Sequence, residues 1–190
     1  GYAFFNQKKY DDAITAFRNF VRRAKDDERE ADANLRLGDA YYTQKEDANA
    51  LKYYSRAVVE GTSNNDYALY QQAIIKGYNG DNDDKEELLA RLLREYPNSI
   101  YAKNSQYELA NTYRNQRKDD EALAMYQQIV DNNPDGEQKR KALLNIGGIH
   151  LRNENFGSAE DVFENIIRNY PGTSESEAAI NELERAYALQ

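Results

Sequence analysis

The feature that most constrains the fold of this chain is a set of small residues that recurs at nearly constant spacing through its 190 residues. The steps between successive members are 37, 35, 37 and 37 residues, and a further step of 37 reaches Glu184. The members are Gly1, Gly38, Ala73, Ala110 and Gly147. A period of this length indicates one supersecondary unit that must stack on copies of itself to bury its apolar face. The sequence therefore predicts one helical hairpin repeated five times, followed by the start of a sixth copy.

Other positions keep the same register as the small site. Three residues after it the chain prefers a ring, with Lys76 as the exception, at Phe4, Tyr41, Tyr113, His150 and Tyr187. Twelve residues after it an alanine recurs, with Lys85 as the exception, at Ala13, Ala50, Ala122 and Ala159. Sixteen residues after it stands a large side chain, at Phe17, Tyr54, Leu89, Tyr126 and Phe163. The three prolines of the chain, Pro97, Pro134 and Pro171, share one register position as well.

These positions predict a helix A, a tight turn and a helix B in every copy. The small sites lie where the two helices cross, because axes approach to about 8–10 Å only when nothing bulky separates them. Proline ends helix B because it cannot continue the hydrogen-bond ladder. The predicted helical segments are 1–7, 10–25, 29–44, 47–60, 63–78, 83–96, 99–116, 119–132, 137–153, 156–170 and 174–189. Ser99, Ser174 and Ser176 are candidate caps before helix A.

The repeated pattern resembles the tetratricopeptide repeat (TPR), and the resemblance covers essentially the whole chain. It implies an all-α fold, a right-handed α-α superhelix of about five helical hairpins, the first truncated, with a C-terminal helix. It also implies one domain over 1–190, expected to be a piece of a longer protein because the chain opens inside a helix A. The units lie near 1–27, 28–61, 62–98, 99–135 and 136–173, with the terminal helix at 174–190.

Two phrases around the Tyr-Pro pairs refine this resemblance. Arg94-Glu-Tyr-Pro-Asn-Ser-Ile-Tyr-Ala102 and Arg168-Asn-Tyr-Pro-Gly-Thr-Ser174 are similar to the TPR branch of bacterial cell-envelope proteins. That branch includes the Tol-Pal-associated periplasmic TPR protein and the outer-membrane-assembly lipoprotein. The similarity implies a periplasmic or outer-membrane-associated location, with the cytoplasm as the alternative.

Composition narrows the classes of function. With 33 acidic and 25 basic residues the net charge is -8, which disfavours nucleic acid as a partner. The absence of cysteine excludes disulfides, thiolate metal sites and a cysteine nucleophile. No apolar run approaches 18 residues and no leader precedes the repeats, so the sequence given predicts neither a membrane span nor a signal peptide.

The third copy departs most from the pattern. It places Lys76 and Lys85 at two signature sites, and its A–B turn contains Gly77 and Gly80. Each glycine costs about 1 kcal/mol in a helix relative to alanine. We therefore expect helix A of this copy to fray early.

No set of residues predicts catalysis or a metal site. His150 is the only histidine and occupies the ring site of its copy, which favours a packing role. The segment Asp81–Asp84 with Glu86 and Glu87 is rich in oxygens. However, an EF-hand needs glycine at its sixth position and glutamate at its twelfth, and here these are Glu86 and Leu92. The sequence thus predicts no enzyme, no metal and no cofactor.

The remaining candidate site is the face of helix A that packing does not use, which lines the concave groove of TPR-like folds. Aromatic rings supply contact area, amides pair with a backbone, and arginine takes carboxylates, so this face suits an extended peptide. The candidate residues are Tyr42, Tyr67, Tyr70, Tyr78, Tyr107, Asn111, Arg114, Asn145 and Arg152. The alternative is that some of these tyrosines only seal contacts between repeats.

A carboxylate clamp of the kind that TPR modules use on chaperone C-termini is not predicted. Asn111 and Asn145 stand at its asparagine positions, but its three cation positions hold Tyr107, Ala178 and Glu182. We therefore predict a non-catalytic scaffold that binds a protein or peptide in its groove. The alternative is a structural spacer or self-association arm of a larger envelope protein.

Overall fold

The computed structural model describes residues 1–59, 62–132 and 136–189, and all regular structure in these ranges is helical. The helices are α1 Tyr2–Asn6, α2 Tyr10–Val21, α3 Asp27–Thr43, α4 Asp47–Ala57, α5 Asn65–Tyr78, α6 Asn82–Glu95, α7 Ala102–Asn115, α8 Asp119–Asn132, α9 Glu137–Arg152, α10 Phe156–Asn169 and α11 Ser174–Leu189. The all-α prediction is confirmed, and each predicted segment corresponds to one helix. The predicted end of α4 at Glu60 and the role of Pro134 lie outside the described residues.

The chain divides into two compact units, Gly1–Ala102 and Lys103–Gln190. In the first unit, α2 packs on α3, α3 on α4, α4 on α5 and α5 on α6. In the second unit, α8 packs on α9, α9 on α10 and α10 on α11, and α9 also contacts α11. The assignment of 1–190 to a single domain stays a prediction.

Each small site packs against the large side chain sixteen residues later. A Cβ built on Gly38 would lie 2.6 Å from the ring of Tyr54, and one on Gly147 would lie 2.5 Å from the ring of Phe163. Real Cβ atoms do not approach rings this closely, so these glycines are required by contact with the aromatic face. The alanines twelve residues after the small sites are fully buried in the described copies that carry them: Ala13, Ala50, Ala122 and Ala159.

The residue directly after the small site corresponds in type to the packed ring: an acceptor there accompanies a ring with a hydroxyl. Tyr54 donates to the Asp39 carboxylate at 2.8 Å, and Tyr126 donates to the Asn111 amide oxygen at 2.6 Å. Where Gly148 replaces the acceptor, the packed ring is Phe163, which has no hydroxyl. A buried hydroxyl without a partner would destabilise the core, so the two positions must match.

The five A–B turns share one backbone conformation. The residue seven positions after each small site has a positive φ, between 58° and 83°, at Lys8, Lys45, Gly80, Arg117 and Glu154. The next amide then donates to the carbonyl of the ring site over 2.9 Å in every copy, as from Glu46 to Tyr41. This bond satisfies a carbonyl that the helix end leaves without a partner.

The third copy follows the same turn, and its glycines have specific roles. Helix α5 continues through Gly77 to Tyr78, so the early end that we expected is not observed. Gly80 occupies the left-handed position of the turn, where a residue without Cβ is least strained. A Cβ on Gly77 would lie 2.8 Å from the Cδ of Lys85, so the stem of this lysine crosses the glycine. At the ring site, the ammonium of Lys76 pairs with Asp81 at 3.2 Å and with Asp84 at 2.6 Å.

The helix caps differ in part from those predicted. Before α11 the hydroxyl of Thr173 accepts from the backbone N–H of Ser176 at 3.2 Å, so Thr173 caps this helix and the prediction of Ser174 and Ser176 is wrong. The reason is that α11 already begins at Ser174. Ser99 does serve the start of α7, since its hydroxyl accepts from the backbone N–H of Tyr101 at 3.0 Å.

Candidate functional site

Of the four candidate tyrosines in the first unit, three are half-buried and one is exposed. Tyr42 is half-buried against the apolar core built by α2, α3 and α4. Tyr78, the last residue of α5, is 79% exposed. Tyr42 and Tyr67 therefore pack against the same apolar core, whereas the ring of Tyr78 is exposed to solvent.

Tyr67 is engaged by a buried carboxylate of the preceding repeat. Asp39 is 9% exposed, and one of its oxygens accepts from both Tyr54 and Tyr67 at 2.8 Å. The guanidinium of Arg36 donates to the other oxygen at 2.8 Å. Burial, and then the charge of Asp39, raise the pKa of Tyr67 far above its ordinary value. Tyr67 therefore joins α5 to α3 in a contact between repeats.

Tyr70 belongs to a short series of ring contacts. Its ring stacks on Tyr101 with centroids 5.2 Å apart and planes 23° apart, and Tyr101 also contacts Tyr67 at 5.5 Å. Tyr101 is not among the predicted candidates, and in the structure it lies directly before α7, although the predicted helix starts at Ser99. Only its place after a Tyr-Pro-x-Ser phrase signals that it packs back on α5.

In the second unit, α7 and α9 bring four candidate residues together. The amide of Asn145 donates to the Tyr107 hydroxyl at 3.1 Å and to the backbone carbonyl of Lys141 at 2.9 Å. Its amide oxygen accepts from the guanidinium of Arg114. The amide oxygen of Asn111 accepts the hydrogen bond from Tyr126 that was described above. Burial raises the pKa of the Tyr107 hydroxyl. The result is a fixed polar face between the two helices.

This polar face opens into a cleft of about 640 Å³ in the second unit. It is lined by residues of α7, α9 and α11 and by the turn that leads into α10: Arg114, Leu144, Asn145, Gly148, Leu151, Arg152, Glu154, Phe156, Ala178, Glu182, Arg185 and Leu189. Of the nine candidates, Arg114, Asn145 and Arg152 line it. The cleft thus combines apolar side chains with three guanidinium groups and the carboxylates of Glu154 and Glu182.

The three arginines of the cleft differ in how they are held. Arg152 pairs with Asp119 at the start of α8. Arg185 lies 3.4 Å from Glu182 on the exposed surface of α11, a pair that contributes little in water. Arg114 donates to the amide oxygens of Asn145 and Asn115. Amide oxygens do not neutralise a guanidinium, so neither of these two hydrogen bonds uses the charge of Arg114.

Sequence reasoning missed most of the apolar side chains of the cleft and Arg185. These residues are Leu144, Leu151, Phe156, Arg185 and Leu189. The repeat register could have identified Arg185. Glu184 occupies the small site of the sixth copy, so Arg185 is equivalent to Asn111 of the fourth copy. Phe156 begins helix B, so a search of helix A alone could not find it.

Within the three described ranges, no group of three or more His, Cys, Asp or Glu residues is arranged to hold a metal ion. His150 is half-buried, and its backbone carbonyl accepts the turn hydrogen bond from Asn155. None of the described helices combines the length and apolar character that crossing a membrane requires.

A family model described as tetratricopeptide repeat matches residues 1–65, 70–137 and 107–174. These matches cover most of the sequence, and the chain belongs to the tetratricopeptide repeat family. No curated protein sequence matches it.

Solved structures share the fold at low sequence identity. A tetratricopeptide repeat protein from Parabacteroides merdae is 18% identical with a TM-score of 0.74, over 98% of this chain and 73% of that one. YrrB, described as a TPR protein with an unusual peptide-binding site, is 16% identical with a TM-score of 0.72, over 94% and 87%. MamA is 19% identical with a TM-score of 0.67, over 99% and 96%.

Proposed function

We propose that this protein is a non-catalytic scaffold that binds a peptide or an extended segment of a partner protein. The observation that carries the proposal is the cleft of the second unit, whose lining combines apolar side chains with three guanidinium groups and two carboxylates. A cavity of about 640 Å³ has the size of ordinary ligand clefts and accommodates a few side chains of a peptide.

The chemistry of the cleft defines what the peptide must carry. Leu144, Phe156 and Leu189 offer apolar contact to a large aliphatic or aromatic side chain. Arg114 supplies a charge-assisted hydrogen bond to a carboxylate next to it. The amide network from Asn145 to Tyr107 fixes Arg114 in place before binding, which lowers the entropy that binding costs.

The contribution of Arg114 can be measured on peptides selected from a random display library against the whole chain. Arg114→Gln removes the charge and keeps a polar side chain, and we expect it to weaken binding by about 1–3 kcal/mol in calorimetry. Lys103→Gln is the matched control, because Lys103 is an exposed residue of the same helix that does not line the cleft. Equal affinities for wild type and Arg114→Gln would favour the spacer or self-association function instead.

The role of Tyr107, which neighbours Arg114 in the polar face, is best tested with a conservative substitution. Tyr107 packs against the core of the second unit, so Tyr107→Ala would disturb the fold as well as the site. Tyr107→Phe removes only the hydroxyl that Asn145 uses, and we expect a smaller loss of affinity with the fold kept.

We also propose a bacterial periplasmic or outer-membrane-associated location, with the cytoplasm as the alternative. The similarity of the two Tyr-Pro phrases to envelope TPR proteins supports it. Fractionation of the source cells followed by immunodetection tests it, and recovery in the cytoplasmic fraction would contradict it.

A further inference from the structure

A second cleft, in the first unit, is lined by four basic side chains. It has a volume of about 200 Å³ and lies between the helix B of the first copy, α2, and that of the second copy, α4. Its cations are Arg18, Arg22, Lys52 and Arg56, all exposed. This is a different surface from the cleft of the second unit, and no candidate residue of that cleft takes part in it.

Apolar and aromatic residues form the base of this basic cleft. Leu37 of α3 is fully buried beneath it, and Tyr53 is 7% exposed. Lys52 and Arg56 each lie 5.6 Å from the ring centroid of Tyr53, so the ring holds both cations by cation–π attraction. Tyr53 is fixed in turn by parallel stacking on Tyr41, with centroids 5.3 Å apart.

Among the described residues no carboxylate pairs with these four cations, although Arg18 hydrogen-bonds the Tyr41 side chain. Within the described residues, the ion pairs that involve Lys or Arg do not include Arg18, Arg22, Lys52 or Arg56. In a chain of net charge -8, acidic partners are abundant. Four like charges gathered on one surface repel each other, and an anionic ligand would relieve that repulsion.

The repeat supplies an internal control for this argument. The equivalent surface between α8 and α10 in the second unit carries Gln127, Asp131, Asp161 and Asn165 at the same four register positions. Gln127 and Asp131 there hydrogen-bond to each other over 2.8 Å. The packing of this fold therefore does not require cations at these positions, and their presence in the first unit is specific to that unit.

We propose that the basic cleft binds an acidic, carboxylate-rich segment of a partner protein. Arg22 directly follows α2, four residues after Arg18, and Lys52 and Arg56 are four residues apart on α4, so the residues of each pair are about 6 Å apart along the helix axis. Guanidinium groups at this spacing can each take one carboxylate of a short acidic segment in bidentate geometry. The cleft is too small for more than side chains, so the ligand lies across it rather than inside it.

The test uses the whole chain and a defined peptide, an acetylated and amidated octamer of glutamate, with octaglutamine as the neutral control. Wild type should bind the first and not the second, and binding should weaken as salt is raised. The double variant Arg18→Gln, Arg56→Gln should lose about tenfold in affinity, since two charge-assisted contacts are removed. The matched variant Arg23→Gln, Lys25→Gln changes the net charge equally on exposed residues outside the cleft, and should bind within twofold of wild type.

Other outcomes of the same titrations would overturn the proposal. Equal losses in both double variants would mean that net charge alone attracts the peptide. Tighter, cleft-dependent binding of pyrophosphate, phosphatidylglycerol vesicles or a single-stranded DNA octamer would assign the cleft to phosphate groups instead. Loss of octaglutamate binding only in Arg114→Gln would place the peptide in the cleft of the second unit, leaving the proposed function intact and this inference wrong.

A gain-of-binding variant completes the test. The changes Gln127→Arg, Asp131→Arg, Asp161→Lys and Asn165→Arg transfer the four charges to exposed positions of the second unit. We expect the calorimetric stoichiometry for octaglutamate to rise by one site per chain. An unchanged stoichiometry with a folded variant would show that these four charges do not define the ligand.

Discussion

Two glycines, one in helix A of the second copy and one in helix A of the fifth, have opposite surroundings. Gly38 faces the ring of Tyr54 so closely that a Cβ would lie 2.6 Å from it, whereas a Cβ on Gly148 would have no atom within 4 Å. The same substitution should therefore have opposite effects at the two positions. The difference follows from contact and not from backbone conformation, since both residues lie inside helices.

Gly38→Ala should destabilise the protein by about 1–3 kcal/mol, because the ring of Tyr54 must move. Gly148→Ala should be neutral or stabilise by up to about 1 kcal/mol, because alanine favours the helix. Urea unfolding followed by circular dichroism measures both. A loss at Gly148 as large as that at Gly38 would contradict the assigned contact.

Ser105 is a buried polar residue at a position where other copies carry alanine. It is fully buried and its hydroxyl has no hydrogen-bond partner among the described residues. The equivalent residues are Ala33, Ala68, Ala142 and Ala179. Removing an unsatisfied hydroxyl while keeping the shape relieves a desolvation cost.

Ser105→Ala should therefore raise the free energy of unfolding by about 1 kcal/mol. Ser158→Ala, at an exposed position, serves as the control and should leave stability within about 0.5 kcal/mol of wild type. A destabilised Ser105→Ala variant would show that the Ser105 hydroxyl forms a hydrogen bond in the folded protein.

Glu175 gives the second unit a pH-dependent contact between α9 and α11. Burial by itself would raise the pKa of this carboxyl, but its own backbone N–H, the guanidinium of Arg140 at 3.3 Å and the Ser174 hydroxyl outweigh burial and lower the pKa. A lowered pKa means that the folded state favours the carboxylate. The stabilisation is thus complete above the ordinary glutamate pKa of 4.5 and is lost as the pH falls through the lower folded value.

Unfolding of wild type and Glu175→Gln should accordingly be compared at pH 6 and at progressively lower pH. We expect the stability difference between them to shrink below pH 4.5, because protonation removes from wild type what the substitution already removed. A difference that is constant over this range would show that the charge of Glu175 plays no part.

At the scale of elements, the A–B turn is the most regular part of the structure. Five turns place one residue at positive φ, and only the third copy uses glycine there. Gly80→Ala should cost about 1 kcal/mol, because the left-handed conformation is strained for a residue with Cβ. Gly157→Ala, in an open helical position of α10, should cost nothing, and thermal unfolding of the two variants distinguishes these outcomes.

The helices and their partners could be predicted from the sequence because spacing alone determines them. The small site at Gly38 and the ring at Tyr54 recur in register, and contact between them follows from the hairpin. The turn conformation could not be predicted, because Lys45 and Glu154 carry no local signal for positive φ. It accompanies the hydrogen bond that ends each helix A, in which a backbone N–H donates to the carbonyl five residues earlier.

The candidate site was predictable only in part, for a reason that Tyr67 illustrates. Register placed its ring on the exposed face of helix A, but Asp39 of the neighbouring repeat captures its hydroxyl. Which side chains meet across repeats depends on rotamers and charges that periodicity does not contain. For the same reason the pairing of Arg152 with Asp119, and the place of Arg185 in the cleft, became visible only in the structure.

At the scale of the whole molecule, stability should be distributed as a sum of local contributions, as in other repeat proteins. Gly38→Leu overpacks the contact with Tyr54 in the first unit and should reduce amide protection there. Amides of α9 and α10 should keep wild-type exchange rates, since their contacts lie in the second unit. Hydrogen exchange with mass spectrometry resolves the two regions, and uniform loss of protection would indicate a single cooperative structure.

The match between the packed ring and the residue after the small site restricts how this sequence can change over time. The Tyr126 hydroxyl needs Asn111 as its hydrogen-bond acceptor, whereas Phe163 has no hydroxyl and therefore needs no acceptor at Gly148. Once Tyr126 is replaced by Phe, Asn111 can be substituted without loss of a hydrogen bond. After Asn111 has been substituted, a return to tyrosine would bury a hydroxyl without an acceptor. In related sequences the residues one and sixteen positions after each small site should therefore covary. The order of their substitutions should also be asymmetric: the acceptor should be gained before the hydroxyl and lost after it.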